Sequence, residues 1–198
     1  MRYGIEVVPL GAYAEPGPVV ELAVASEAAG WEALAVWDHC TFWGGVGDPW
    51  VTLTAVAAAT SRLRLVTAVS PIPRYTPQLL ARSVHALDAF SGGRVTLRAG
   101  LGVDFDLAAY GELRPAAERA AMADEALSLV ARLCNAETVT FAGAHHTVTG
   151  AQVASHATQS PRVPVWIGGS SRPALRRAAR WDGWVIGSID ETQRVVYP

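Results

Sequence analysis

Lysine is missing altogether, so all 16 basic residues are arginine. Cysteine and methionine occur only twice each. Charged residues make up 17% of the 198-residue chain, and the net charge is −2. Each shortage excludes something. The near-neutral balance leaves no electrostatic footprint for nucleic acid or for an anionic membrane surface. Cys40 and Cys134 are too few and too far apart for a disulfide framework and read as free thiols in a reducing compartment. Asp38, Arg62, Arg64 and Asp88 break every apolar stretch before it reaches bilayer-spanning length. Glu6 interrupts the first apolar run before it could serve as a signal peptide. The chain carries no nucleophile elbow, no P-loop and no metal-ligand spacing. The expectation is a soluble, cytoplasmic protein.

What is present is a large apolar share, 51% of residues, which excludes disorder. The length suits one domain, residues 1–198, able to bury about 70% of its unfolded surface without staples. Short apolar runs recur at Tyr3 to Val8, Ala33 to Trp37, Leu63 to Val69 and Arg94 to Leu101. Their centres lie about thirty residues apart, the length of one strand-plus-helix unit. Runs apolar on nearly every residue fit strands covered on both faces, as in a parallel sheet. Helical segments fill the gaps. Pro16 opens the first, and Gly30 stands where a C′ glycine belongs. Asp48-Pro49 and Thr76-Pro77 are N-cap and first-turn pairs for the next two. A longer helix spans about Pro115 to Cys134.

The rhythm breaks at 138–162, where a β-hairpin over Thr138 to Gly150 is followed by loop. It resumes with the strand Pro164 to Ile167, a helix from Pro173 to Trp181 and a sixth strand, Gly183 to Ile186. Residues 187–198 show no clear pattern. The class is α/β, with a doubly wound sheet and a (β/α)₈ barrel both open, although a barrel needs about 250 residues.

Candidate site residues follow from position. Asp38-His39 ends the second strand, where parallel sheets place their chemistry, and histidine serves as acid, base or donor near neutral pH. Alternatively the two form a buried pair that satisfies itself. Trp43 follows on a glycine-rich loop and suits either the wall of a planar ligand or a cover for the sheet edge. Gly168-Gly169-Ser170-Ser171 leads from a strand into a helix, which suits an anion such as phosphate or an ordinary cap. Gly100-Leu101-Gly102, with Asp104 and Asp106 after it, lacks the rest of a dinucleotide fingerprint. Arg172, Arg176 and Arg180 form a solvated helical stripe, and His145-His146 alternates across a strand and so cannot chelate.

Taken in order, these stretches resemble the bacterial-luciferase-like family of flavin- and F420-dependent oxidoreductases. The resemblance rests on Ala28-Ala29-Gly30-Trp31 with Val36-Trp37-Asp38-His39, on Ala57 to Leu65, on Leu87 to Arg94, on Pro164 to Gly169 and on Ala178 to Trp184. It implies a TIM-barrel-like fold with an insertion after the fourth unit. It implies a flavin or deazaflavin ring resting against Ala68 and Val69 at the end of the third strand, where family members often carry a non-proline cis peptide. It implies phosphate at Gly168, Gly169, Ser170 and Ser171, with His39 and Trp43 beside the reacting carbon. The cofactor implied is reduced FMN or coenzyme F420, and the reaction that of a dehydrogenase or monooxygenase on a small organic substrate.

Three departures qualify that picture. Val103 stands where the family's dehydrogenases carry a glutamate after Gly-x-Gly, with Asp104 only a neighbour. Arg98 replaces a small residue. Only about six strands are visible, so the barrel is expected to be incomplete, lacking its last two units. Its open edges are expected to be covered by a second copy, giving a homodimer, or by the tail folding back. A non-catalytic flavin binder or a degenerate relative is the alternative function.

Overall fold

The computed structural model describes residues 3–42, 45–186, 188–189 and 195–196, the last two pairs by backbone alone. In chain order the elements are β1 (Gly4–Val7), α1 (Pro16–Ala28), β2 (Ala33–Val36), α2 (Pro49–Ala59), β3 (Arg64–Thr67), β4 (Ser70–Pro71), α3 (Pro77–Ser91) and β5 (Val95–Gly100). After these come α4 (Asp104–Ala109), α5 (Ala116–Cys134), β6 (Val139–Ala142), β7 (Thr147–Ala151), β8 (Val165–Gly168), α6 (Arg172–Ala178), β9 (Gly183–Val185), β10 (Ser188–Ile189) and β11 (Val195–Val196). Single 3₁₀ turns at Gly11–Ala14 and Ile72–Arg74 lead into α1 and α3.

Local chemistry sets the boundaries. The Asp48 carboxylate accepts from the Val51 N–H at 2.8 Å and caps α2, whose first residue is Pro49. Gly92 takes the left-handed conformation that ends α3, at φ 69°. Thr76 precedes Pro77 as expected but makes no side-chain cap bond. Arg94 then ties the helix ends to the sheet, donating to the carbonyls of Ala57, Thr60, Leu63 and Ser91.

The main sheet has the strand order β1-β2-β3-β5-β8-β9, and every neighbouring pair is parallel. A sequential order places every right-handed crossover on the same face. That decides between the two architectures left open by the sequence. Leu34, Val36, Leu65, Leu97, Val165 and Ile167 point to that face and form one core with buried residues of α1, α2, α3 and α5. The opposite face carries a small cluster, Ala35, Val66 and Ala68, with Ala33 and Trp37 against it. The fold is therefore an incomplete (β/α) barrel, not a doubly wound sheet.

The curl of this half-barrel can be read from one ion pair. Arg98 on β5 reaches Glu6 on β1 at 2.8 Å, although β2 and β3 lie between them. In a flat sheet those strands would be about 14 Å apart. The residue that departs from the family pattern thus bridges the concave face, and it also lies over the Trp166 ring at 5.6 Å.

The break in rhythm is a separate antiparallel hairpin, β6 with β7. Glu125 on α5 accepts from the N–H groups of Ala144, His145 and His146 and holds its tip. In the tail, β10 pairs antiparallel with β11 in a ladder of its own rather than with an edge of the main sheet. No helix among the described residues is long and apolar enough to cross a membrane.

Candidate functional site

A cavity of about 990 Å³ opens at the C-terminal ends of the strands. Val8, His39, Ala68, Gly100, Gly168 and Val185 mark six strand ends around its wall. That is where a parallel α/β sheet gathers loop residues from distant parts of the chain.

Of the expected site residues, His39, Ala68, Val69, Gly168, Gly169 and Ser171 line this one cavity. Ser170 is exposed and is not among the lining residues. Trp43 lies outside the described residues. The Ala68–Val69 peptide bond is cis. Val69 packs over two glycines, Gly100 and Gly168, which would place Cβ atoms 2.8 and 3.3 Å from its Cγ1. Ser171 caps α6, its hydroxyl accepting from the Ala174 N–H at 3.3 Å. Gly169 has a φ of 111°, a conformation open to glycine and strained for other residues.

Asp38 and His39 do not pair with each other. Asp38, 4% exposed, accepts from the Tyr75 hydroxyl at 2.8 Å, and Tyr75 accepts from Trp50 Nε1 at 3.1 Å. Burial pushes the Asp38 carboxyl up to about 6, against the pull of the Ser70 and Tyr75 hydroxyls. His39 turns to a different partner, with Nδ1 at 3.1 Å from Asp106 Oδ2. Its ring is packed by Trp37, Phe42 and Phe105, the last stacked nearly parallel at 8°. Burial lowers the His39 imidazole, with Asp106 opposing and Arg74 assisting.

Asp106 is the residue that sequence reasoning passed over. It sits in the first turn of α4, a six-residue helix too short to show a period. It is 2% exposed and accepts from Cys40 N at 3.3 Å, Thr41 N at 3.0 Å and Arg74 Nη1 at 3.1 Å as well as from His39. Arg74 also holds Glu112 at 2.6 Å. The available signal was the acidic pair after Gly100-Leu101-Gly102. Its first member, Asp104, is exposed and bound by Arg119 at 2.6 Å.

The arginine stripe is as expected at Arg172 and Arg176, which are exposed. Arg177, between them and Arg180, is buried on the cavity wall and grips Asp124 through Nε and Nη2 at 2.8 and 3.0 Å.

A flat cofactor fits what is present. The glycines beneath Val69 keep the wall low, and the turn at Gly168 to Ser171 borders the same space. The described part of the wall carries acidic groups at Glu6, Asp38, Asp104 and Asp106 and the Arg177 guanidinium.

Comparison with known proteins agrees with this geometry. The model of the family described as luciferase-like monooxygenase matches residues 5–195. An F420-dependent glucose-6-phosphate dehydrogenase from Nakamurella multipartita is 32% identical over 182 residues, covering 87% of this chain and 52% of that protein. The chain thus spans about half the length of the curated relatives it matches. The coenzyme F420-dependent tetrahydromethanopterin reductase of Methanopyrus kandleri superposes with a TM-score of 0.81 at 22% identity, over 94% of this chain and 56% of that one. The oxygenating constituent of 3,6-diketocamphane monooxygenase from Pseudomonas putida, in complex with FMN, gives 0.77 at 17% identity, over 92% and 56%. These two likenesses concern the fold.

Proposed function

The chain belongs to the luciferase-like monooxygenase family, and from that premise we propose that its cavity binds F420 or FMN for an oxidoreductase reaction on a small organic substrate. The observation that carries this reading is convergence. Three motifs from distant parts of the chain, His39, Ala68-Val69 and Gly168-Gly169, border one cavity of about 990 Å³. When bound, either group supplies the redox chemistry; placement and electrostatics fall to the protein.

Each residue then has a role. Val69 backs the ring. The Gly168–Gly169 backbone and Ser171 hold the phosphate. His39 orients the substrate by a hydrogen bond. Residues 138–162 form an insertion in a single domain, 1–198, that lacks the last two units of a full barrel.

A non-catalytic flavin binder is the second reading, and the site offers one observation for it. Val103 holds the place of the family's glutamate, and Arg119 claims the neighbouring Asp104. Titration of the purified chain with F420 and with FMN, followed by fluorescence, tests binding. Turnover with the reduced cofactor separates enzyme from binder. Failure to bind either cofactor would sink both readings.

A further inference from the structure

We propose that Asp106 is a positioning residue that holds His39 in the tautomer protonated on Nδ1, leaving Nε2 as the acceptor nitrogen for a molecule in the cavity. This deepens the reading of the cavity above and rests on it for the identity of that molecule.

An ionised carboxylate only accepts hydrogen bonds. Asp106 is kept ionised: burial pushes its carboxyl up, but Arg74, His39 and the Cys40 N–H outweigh this and hold it below the usual carboxylate range. Every partner of its side chain is a donor, namely Arg74 and the N–H groups of Cys40 and Thr41. The remaining contact, to His39 Nδ1 at 3.1 Å, must then be made by a protonated Nδ1. A neutral imidazole carries one proton, so Nε2 keeps its lone pair.

The ring cannot readily turn over to present the other edge. Phe105, Trp37 and Phe42 pack around it, with ring centroids 6.5, 5.5 and 5.1 Å from that of His39. Because Cys40 N and Thr41 N bind the same carboxylate, the backbone after His39 is fixed together with its side chain. Nε2 therefore suits an O–H or N–H group of the substrate, which it meets as an acceptor.

The charged and titratable groups facing His39 are Asp106 from α4, Arg74 from the turn before α3 with Glu112 behind it, and Asp38 and Cys40 on its own strand end. Of these, Asp106 raises the histidine's midpoint and Arg74 lowers it. The two effects give separate handles.

The test is a long-range proton–nitrogen spectrum of the uniformly ¹⁵N-labelled full chain, without cofactor, followed over pH. His39 is assigned among the five histidines by the His39→Gln variant. In the wild type, neutral His39 should show a protonated Nδ1 and an unprotonated Nε2. In Asp106→Ala, which leaves no acceptor, the preference should be lost and the midpoint should fall; Asp106→Glu should keep the tautomer. A wild-type His39 protonated on Nε2, or an Ala variant with unchanged tautomer and midpoint, would overturn the proposal. Should the Ala variant lose its native circular dichroism, Arg74→Gln decides instead: the midpoint should rise, and an unchanged one would overturn it. The cofactor titration is independent. Absent binding with the Nδ1 tautomer intact would remove the cavity's assignment and leave the hold of Asp106 on His39 standing.

Discussion

Val69 occupies the space that a side chain on Gly100 would need. An ideal Cβ on Gly100 would stand 2.8 Å from Val69 Cγ1, a separation that real Cβ atoms do not show. Gly100→Ala should therefore push Val69 into the cavity. Overpacking of this kind costs about 1–3 kcal/mol, and the wall against which the ring rests would be displaced. Urea unfolding and cofactor titration should both register the change. Gly17→Ala, in α1 with nothing within 4 Å of its Cβ, is the control and should be neutral or slightly stabilising. A Gly100→Ala chain as stable and as avid as the wild type would show that Val69 has room to move.

Much of this arrangement was legible because it is local. Asp48-Pro49 and Gly30 mark helix ends by chemistry acting within a few residues, and the structure puts α2 and the end of α1 there. Strands covered on both faces advertise themselves as apolar runs. What stayed hidden is pairing at a distance. His39 meets Asp106 across 67 residues, and Asp38 meets Tyr75 across 37. No period or spacing encodes such partners. Arg177 differs from Arg176 only by one step around a helix, yet it is buried where its neighbour is exposed. The choice of barrel over doubly wound sheet needed the strand order itself. Where family resemblance supplied a non-local expectation, as at Ala68-Val69, it reached further than composition could.

His39→Ala should cut turnover by roughly 10²–10⁴-fold, the span typical of removing a residue that handles protons. Cofactor affinity should change little, because the ring's wall and the phosphate turn are built from other residues. Steady-state kinetics alongside a fluorescence titration read the two effects separately. Lost circular dichroism with lost activity would instead assign His39 to the structure of the strand end.

Gly169 tests the phosphate turn with a pair of variants. At φ 111° any side chain is strained, so Gly169→Ala should weaken cofactor binding through backbone distortion alone. Gly169→Asp adds a carboxylate that would repel an anion and should abolish binding. Equal affinities for the two variants would show that no phosphate lies near this turn.

Asp38 predicts a pH dependence of stability with a definite sign. Its folded carboxyl is raised to about 6, above the ordinary value of 3.8. A raised pKa means that the folded state binds the proton more tightly than the unfolded one. The stabilisation is complete below about pH 4 and is lost as pH rises through about 6. Asp38→Asn keeps an acceptor for Tyr75 and removes the titration. The variant should be more stable than the wild type at pH 7, by on the order of 2 kcal/mol, and this advantage should shrink toward zero near pH 4, whatever the other titrating groups add to both chains. Urea midpoints of the two chains across that range give the difference. An advantage that does not grow between pH 4.5 and 7 would mean that Asp38 is better solvated than its burial implies.

The last prediction concerns the open sides of the half-barrel. In the described sheet β1 pairs only with β2, and β9 only with β8. Each leaves a row of backbone groups without a strand beside it, the feature by which edge strands recruit partners. Apolar surface accompanies both edges: Tyr3 beside β1 is 61% exposed, and Trp184 and Ile186 at β9 are 40% and 46% exposed. The described tail strands, β10 and β11, pair with each other and not with either edge. A second copy of the chain can cover such a surface, because a two-fold axis buries the same patch on both protomers. Sedimentation of the 198-residue chain at micromolar concentration should accordingly show a dimer or a larger species. Trp184→Glu, which puts a charge at the β9 edge, should shift it toward monomer. The Trp184 indole donates to the Gly169 carbonyl at 2.8 Å, so Tyr3→Glu at the other edge serves as a second variant free of that bond. A cooperative monomer at all concentrations would defeat the idea and mean that the edges are tolerated in water.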